Sequence, residues 1–303
     1  MRRPPRARGA LRGFRGALAG AIAWVVLAFP SLEPLLVRLG RAAGRRSRIL
    51  SGLYWFVQDR LLASLRKSGE RYRPVFVHGR RLQLDITDST GRYPFFSQIP
   101  YEPGVTDAIL TALRPGDVFL DVGANVGYFT VLAASVVGDR GRVIAFEPHD
   151  GAREALEETV QRNEASPTVE IVPLALSDAD GDATLYVEDA VTAHSTIEPT
   201  LSPMRHVAAL RPSATVRMTT LDGWLKSQPG LARRVRCIKI DVEGAEARVL
   251  AGMPATLALR PLTIVCETTL GQRADGILMA AGFHSCRIEP GGSSYGNFLY
   301  LRP

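Results

Sequence analysis

The apolar and polar positions of this 303-residue chain change rhythm at residue 74 and again near residue 182. Before the first change, two apolar segments stand among arginines. Ala17–Phe29 (ALAGAIAWVVLAF) is uncharged but shorter than the ~20 residues a bilayer-spanning helix needs. Pro30 and Glu33 end it, and no small-x-small cleavage pattern follows. Ile49–Leu65 is interrupted by Gln58, Asp59 and Arg60 and flanked by Arg45, Arg46, Arg48, Arg66 and Lys67. Together they predict a basic, apolar-faced helical extension over residues 1–72. From Pro74, PVFVHGRRLQLDI alternates about His78 and Gly79, which predicts a β-hairpin near 75–86, followed by a loop from Pro94 to Pro103.

Beyond that loop, short strand-like and helix-like segments take turns. Strands are expected at Val118–Asp121, Arg142–Glu147 and Val169–Pro173, and helices at Val105–Leu113, Gly127–Val137 and Gly151–Asn163. Such periods with glycine-containing connections predict an α/β fold with a doubly wound parallel sheet. Residues 182–218 break the rhythm: ATLYVED and TVRMTTL surround a polar loop, Thr192–Arg211, and predict a β-rich insertion. Alternation resumes with a strand at Val235–Asp241, a helix at Gly244–Ala251, a strand at Leu262–Glu267 and a helix at Arg273–Ala281. A hairpin, Phe283–Glu289 with Asn297–Leu301, closes the chain. The main domain is thus expected over 73–303.

Composition adds two constraints. With 46% apolar residues the chain can bury one large α/β core plus an appendage. Charge is split: residues 1–80 hold 17 Lys and Arg against 3 Asp and Glu, leaving 20 against 27 beyond them. The two stretches therefore carry about +14 and −7. Any polyanion would be met by the N-terminal arm, because the acidic remainder repels it. An anionic membrane surface fits that arm, nucleic acid does not fit the domain, and a solvated arm is the plain alternative. Cys237, Cys266 and Cys286 have no CxxC or Cys/His spacing, which argues against a zinc site or disulfide framework and for a reducing, cytoplasmic setting, peripheral at a membrane face if the arm binds one.

Candidate chemistry begins at FLDVGANVGYFT, Phe119–Thr130. A loop between a strand's carboxyl end and a helix's amino end offers free backbone N–H groups where open α/β sheets bind ligands. Gly123 and Gly127 are spaced GxxxG, with Asn125 where a dinucleotide fingerprint has its middle glycine, and Asp121 would repel a pyrophosphate. Glu147, 24 residues after Gly123, stands where such folds put a carboxylate on ribose hydroxyls. The ligand implied is a nucleoside without phosphate that carries an ammonium group, which describes S-adenosylmethionine. Structural roles remain open beside this: Asp121 bracing the loop, Glu147 capping the next helix.

GDVFLDVGANVGYFT, VIAFEP, PLALSDADGDATLY and above all CIKIDVEGAEARVLAGM resemble the FkbM family of S-adenosylmethionine-dependent methyltransferases, over about Tyr101 to Gly282. The resemblance implies a Rossmann-like, seven-stranded class I methyltransferase sheet with its last strand antiparallel. It also implies O-methylation of a hydroxyl on a sugar, glycolipid, polyketide or similar metabolite. Carried over by position, Asp121, Gly123, Ala124, Asn125 and Gly127 would surround the methionine part and Glu147 the ribose. Ser177 and Asp178 would lie near the adenine, and Asp241 would face the site.

An alcohol is a poor nucleophile while protonated, so a carboxylate within hydrogen-bond reach is the expected general base. Asp241 and Glu243 are the candidates, Asp241 as the orienting residue and Glu243 as the base, with helix capping as Glu243's structural alternative. Glu267 and the loop residue His194 are weaker candidates, and Lys239, inside a strand, is expected to be paired rather than catalytic. No spacing of carboxylates or histidines signals a metal, although Asp241 with Glu243 and Glu267 could in principle bind Mg²⁺. Two rival readings stay open at this point: a nicotinamide-dependent oxidoreductase on the same fold, and a membrane-associated binding module without turnover.

Overall fold

The structure, a computed structural model, describes residues 21, 33–46, 48–188, 191–202, 210–289 and 293–302. Apart from Ala21, the apolar run Ala17–Phe29 lies outside them, as does the side chain of His194. Two compact units divide between Tyr101 and Glu102.

The first unit holds helices α1 (Glu33–Arg46) and α2 (Arg48–Ser68), the hairpin β1 (Tyr72–Val77) and β2 (Arg80–Asp85), and helix α3 (Ser89–Ser97). The helical extension is observed where residues are described. The hairpin closes through His78 and Gly79, both at positive φ, the two-residue turn whose twist suits antiparallel strands. The hairpin belongs with the helices rather than with the domain after residue 73. Val37, Leu61, Leu62 and Leu65 share one core with Ile86 and Phe96, so apolar burial ties the segments together up to Tyr101. The expected loop from Pro94 is also shorter than predicted. Pro94 sits inside α3, which survives the missing N–H because the Asp88 carboxylate caps it, accepting from Thr90 N at 2.8 Å, and Phe96 is buried. Among the described residues no helix is long and apolar enough to cross a membrane.

The second unit runs α4 (Pro103–Ala112), β3 (Val118–Val122), α5 (Tyr128–Val137), β4 (Arg142–Phe146), α6 (Asp150–Arg162) and β5 (Val169–Val172). It continues through β6 (Ala175–Leu176), β7 (Gly181–Glu188), β8 (Val191–Thr196), β9 (Leu210–Thr219), and the short helices α7 (Leu221–Lys226) and α8 (Pro229–Ala232). It ends with β10 (Val235–Ile240), α9 (Glu246–Ala251), β11 (Leu262–Thr269), α10 (Arg273–Ala280), β12 (His284–Arg287) and β13 (Tyr295–Arg302). Seven strands form one sheet in the order β12-β13-β11-β10-β3-β4-β5, parallel except for β13. Every residue of β3 is buried, as expected of a central parallel strand covered on both faces. Its core contains Leu120, Val122, Ile144, Ile238, Ile240 and Ile264.

From β3 the chain winds outward through β4 and β5, then returns to lay β10 on the other side of β3. This reversal opens a crevice at the carboxyl ends of β3 and β10, where open α/β sheets bind ligands. The predicted insertion is a separate four-stranded sheet, β6-β9-β7-β8, with a small core of Ala175, Leu185 and Val216. The closing hairpin is β12 with β13.

Candidate active site

The crevice at the strand reversal is lined from both sides. Gly123, Asn125 and Glu147 contribute from the ends of β3 and β4, Asp241 and Glu243 from the end of β10, and Leu185 from the inserted sheet. Its cavity volume is about 60 Å³, so the crevice is narrow in this structure.

The glycine turn is tight because its neighbours leave no room. Gly123 has φ +79°, and a Cβ there would collide with the Asp241 carbonyl; Gly127, φ +89°, caps α5 where a Cβ would meet Leu156. Asn125 is itself left-handed, φ 48°, and its N–H donates to Glu147 Oε2 at 2.8 Å. The other Glu147 oxygen accepts from His149 N at 2.9 Å. Burial pushes the Glu147 carboxyl up to about 7, although both backbone N–H groups pull it down. His149, not Glu147, caps α6, accepting from Ala152 N at its Nδ1.

Asp121 is completely buried beneath the turn. Thr130 Oγ1 of α5 donates to its Oδ2 at 2.6 Å, whereas Oδ1 has no hydrogen-bond partner. Lys239 Nζ lies 4.0 Å from that oxygen, aligned beside Asp121 in the β3–β10 register. Lys239 is 4% exposed, lies 3.0 Å from Asp241 Oδ2 and sits over the Phe129 ring. Burial disfavours its charge, but Asp241, Asp121 and Glu102 outweigh that and hold its pKa above the ordinary value. Lys239 is therefore an ammonium, not a base, and it links the acids of the two strand ends.

Past β10 the backbone turns sharply, with Glu243 at φ 55°, an uncommon conformation for a side-chain-bearing residue that clusters at functional turns. Glu246 closes this turn: its Oε1 accepts from Gly244 N at 3.0 Å and Val242 N at 3.2 Å. No side chain caps α9, so the capping role weighed for Glu243 is not observed, and the Glu243 Oε2 is buried without a partner. Burial, then the charges of Asp241 and Glu246, push Glu243 up to about 8. Burial and Asp241 likewise hold Glu267, hydrogen-bonded to Tyr295, at about 9. Asp241, Glu243 and Glu267, the trio weighed from the sequence for Mg²⁺, bring ligand oxygens within 4.8 Å of one another, close enough to share a cation.

Ser177 and Asp178 follow β6 and do not line the crevice. The Ser177 hydroxyl donates to Asp178 Oδ1, and Asp178 pairs with Arg248 of α9 at 3.0 Å. Desolvation raises the Asp178 pKa, but the hydrogen bonds from Arg248 and Ser177 and the Arg248 charge together hold it below the usual range. Ala124 is buried, its N–H bonded to Phe146 O. Lys239 is paired, as its place between Ile238 and Ile240 led us to expect, since buried charge requires a counter-charge; Glu246 is the residue sequence reasoning missed.

A sheet ordered β5-β4-β3-β10-β11-β13-β12 with β13 reversed is the Rossmann-like fold of class I methyltransferases. Residues 121–284 match the model of the methyltransferase FkbM domain, and the chain belongs to that family, whose cofactor is S-adenosylmethionine. Hexuronic acid methyltransferase AglP of Haloferax volcanii is 29% identical over 164 residues, 54% of this chain and 60% of that protein. AMB antimetabolite synthetase AmbE of Pseudomonas aeruginosa is 44% identical over 103 residues, 34% of this chain and 4% of that protein. The chain thus spans no more than about 60% of the length of these curated relatives. Among solved structures, methyltransferase FkbM from Methylobacillus flagellatus KT aligns over 88% of this chain and 59% of its own, at 12% identity and a TM-score of 0.41.

Proposed function

We propose that this chain transfers a methyl group to a hydroxyl of a sugar, glycolipid, polyketide or similar metabolite. The observation that carries the reading is the joining of two half-sites in one crevice. The glycine turn with Glu147 and the Asp241–Glu243 turn line the same space, and Gly123 touches the Asp241 backbone. AglP, named for a hexuronic acid, supports a sugar hydroxyl as acceptor.

The residues fit S-adenosylmethionine. The turn is free of side chains at Gly123, the Asn125 Oδ1 is buried without a partner, and Glu147 is fixed by two N–H donors. In this reading Glu147 receives the ribose hydroxyls, and Asp121 with the 123–127 turn flanks the methionine part. Ser177 and Asp178 stand behind the adenine end. When bound, the cofactor supplies an electrophilic methyl group on a positive sulfur. Everything else falls to the chain. Asp241, held by Lys239, accepts a hydrogen bond from the acceptor and orients it, and such positioning is worth ~7 to 11 kcal/mol. Glu243 Oε2, free of protein donors, takes the hydroxyl proton and releases it to solvent through the open crevice. A base held near 8 is matched to neutral or mildly alkaline operation, where it contributes about 10²- to 10⁴-fold.

The nicotinamide alternative loses its ground to the family match and to Asp121 beneath the turn. A binding module without turnover is separated by experiment: incubation with S-adenosylmethionine carrying a labelled methyl group and a panel of glycosides and polyols. Label entering an acceptor at oxygen supports the reading. Cofactor binding with no label in any acceptor, or label at nitrogen or carbon, would sink it.

A further inference from the structure

We infer that α1 is a docking surface for an anionic lipid bilayer. The argument starts from which side of the helix is already occupied. Val37 is 4% exposed, and Gly40 lies so close against the Tyr54 ring that a Cβ would collide with it. The Tyr54 hydroxyl donates to the carbonyl of Val37 at 3.4 Å and to that of Phe96 at 3.2 Å. These contacts fix one face of α1 onto the unit's own core and so determine which face is left over.

The remaining face is apolar as well as basic. Leu35 and Leu39, one helical turn apart, are 52% and 55% exposed. Arg38 and Ala42, exposed too, complete the spacing i, i+3, i+4, i+7, which is a single stripe along the helix. Arg38 and Arg41 also line an open cleft with Ala42 and Gln98; Arg41 hydrogen-bonds the Tyr54 hydroxyl, and exposed Arg38 is the guanidinium offered to a phosphate group. A lone exposed leucine is ordinary on a protein surface; two in register with arginines form the profile of a helix lying in a membrane interface.

Charge selects the occupant. Residues 1–80 hold 17 Lys and Arg against 3 Asp and Glu, and α1 ends on Arg45-Arg46. A second copy of the chain would set this basic surface against itself. A neutral protein groove would accept the leucines but leave the arginines without partners. An anionic bilayer takes both, the leucines below the headgroups and the arginines at the level of the phosphates. The surface stands independently of the methyl-transfer reading.

The test uses the full chain with vesicles of phosphatidylcholine alone or with roughly a third phosphatidylglycerol. The chain is expected to co-sediment with the anionic vesicles only, and less so at high salt. Leu35→Asp combined with Leu39→Asp lowers the partition about ten-fold or more, and Arg38→Glu about five-fold or more. Leu301→Asp, at an exposed leucine of the other unit, leaves it unchanged. All variants retain the parent's circular dichroism and thermal melting profile, which certifies the fold of the first unit, where the α1 substitutions lie. Failure of the full chain to sediment with anionic vesicles overturns the inference, and so does a double leucine variant that partitions like the parent. A leucine-dependent change of sedimentation coefficient without vesicle binding assigns the stripe to self-association instead.

Discussion

The two lips of the crevice are built on opposite electrostatic plans. On the β3–β4 side, the acids are fixed by neighbours: Asp121 is bonded to Thr130 and faces Lys239, and both oxygens of Glu147 accept backbone N–H groups, although burial still pushes its carboxyl up to about 7. On the β10–β11 side, charge is crowded. Asp241, Glu243 and Glu267 approach within 4.8 Å, two of them held near 8 and 9, and one Glu243 oxygen has no partner. A settled lip suits holding a ligand in one place. A crowded lip, where a crevice-lining carboxylate keeps one oxygen free of protein donors, suits exchanging a proton. Lys239 bridges the two plans.

Removing the bridge should have the largest effect. Lys239→Met leaves Asp121 buried without its counter-charge and is expected to destabilise the fold by ~3 to 5 kcal/mol, read from denaturant unfolding. If stability is unchanged, the ion pairs described here do not organise the crevice. Next comes Glu243→Gln, which should lower methyl transfer about 10²- to 10⁴-fold while S-adenosylhomocysteine affinity stays within a few-fold. Equal losses in both would erase the contrast between the lips. Gly123→Ala should act on both at once. Strain at φ +79° and the collision with the Asp241 carbonyl cost more than ~2 kcal/mol, seen as a lower Tm and weaker cofactor binding.

The fold was largely legible because strands buried on both faces, such as VFLDV and VRCIKI, read as unbroken apolar runs set between helical periods. Features made by tertiary contact were not. Nothing local in STGRYPFFS announces a helix across Pro94, and the hairpin's allegiance to α2 depends on Ile86 and Phe96 meeting Leu61, Leu62 and Leu65. The helices α7 and α8 are too short to show a period. In the site, position alone was enough to single out the glycine turn, Glu147 and the KIDVEG acids, which the structure brings to one crevice. The division of labour between Glu243 and Glu246 was not, because it turns on which carboxylate folds back onto the N–H groups of Val242 and Gly244.

A smaller effect sharpens the contrast through pH. Glu243 has a folded pKa of about 8 against an ordinary 4.5, so between those values the native state binds more protons than the unfolded one. Stability should therefore fall as pH rises from about 4.5 to about 8, and Glu243→Gln should flatten that slope. Melting curves across the window check it, and an identical slope in the variant would show that this carboxyl is not held up by burial.

The most direct test of the division between a holding lip and an exchanging lip is calorimetric titration of S-adenosylhomocysteine into the wild-type chain, Glu147→Gln and Glu243→Gln. The account predicts saturable binding to the wild type, weakened about ten-fold or more by Glu147→Gln and by no more than a few-fold by Glu243→Gln. Binding that survives Glu147→Gln and collapses with Glu243→Gln, or no binding at all, would contradict it.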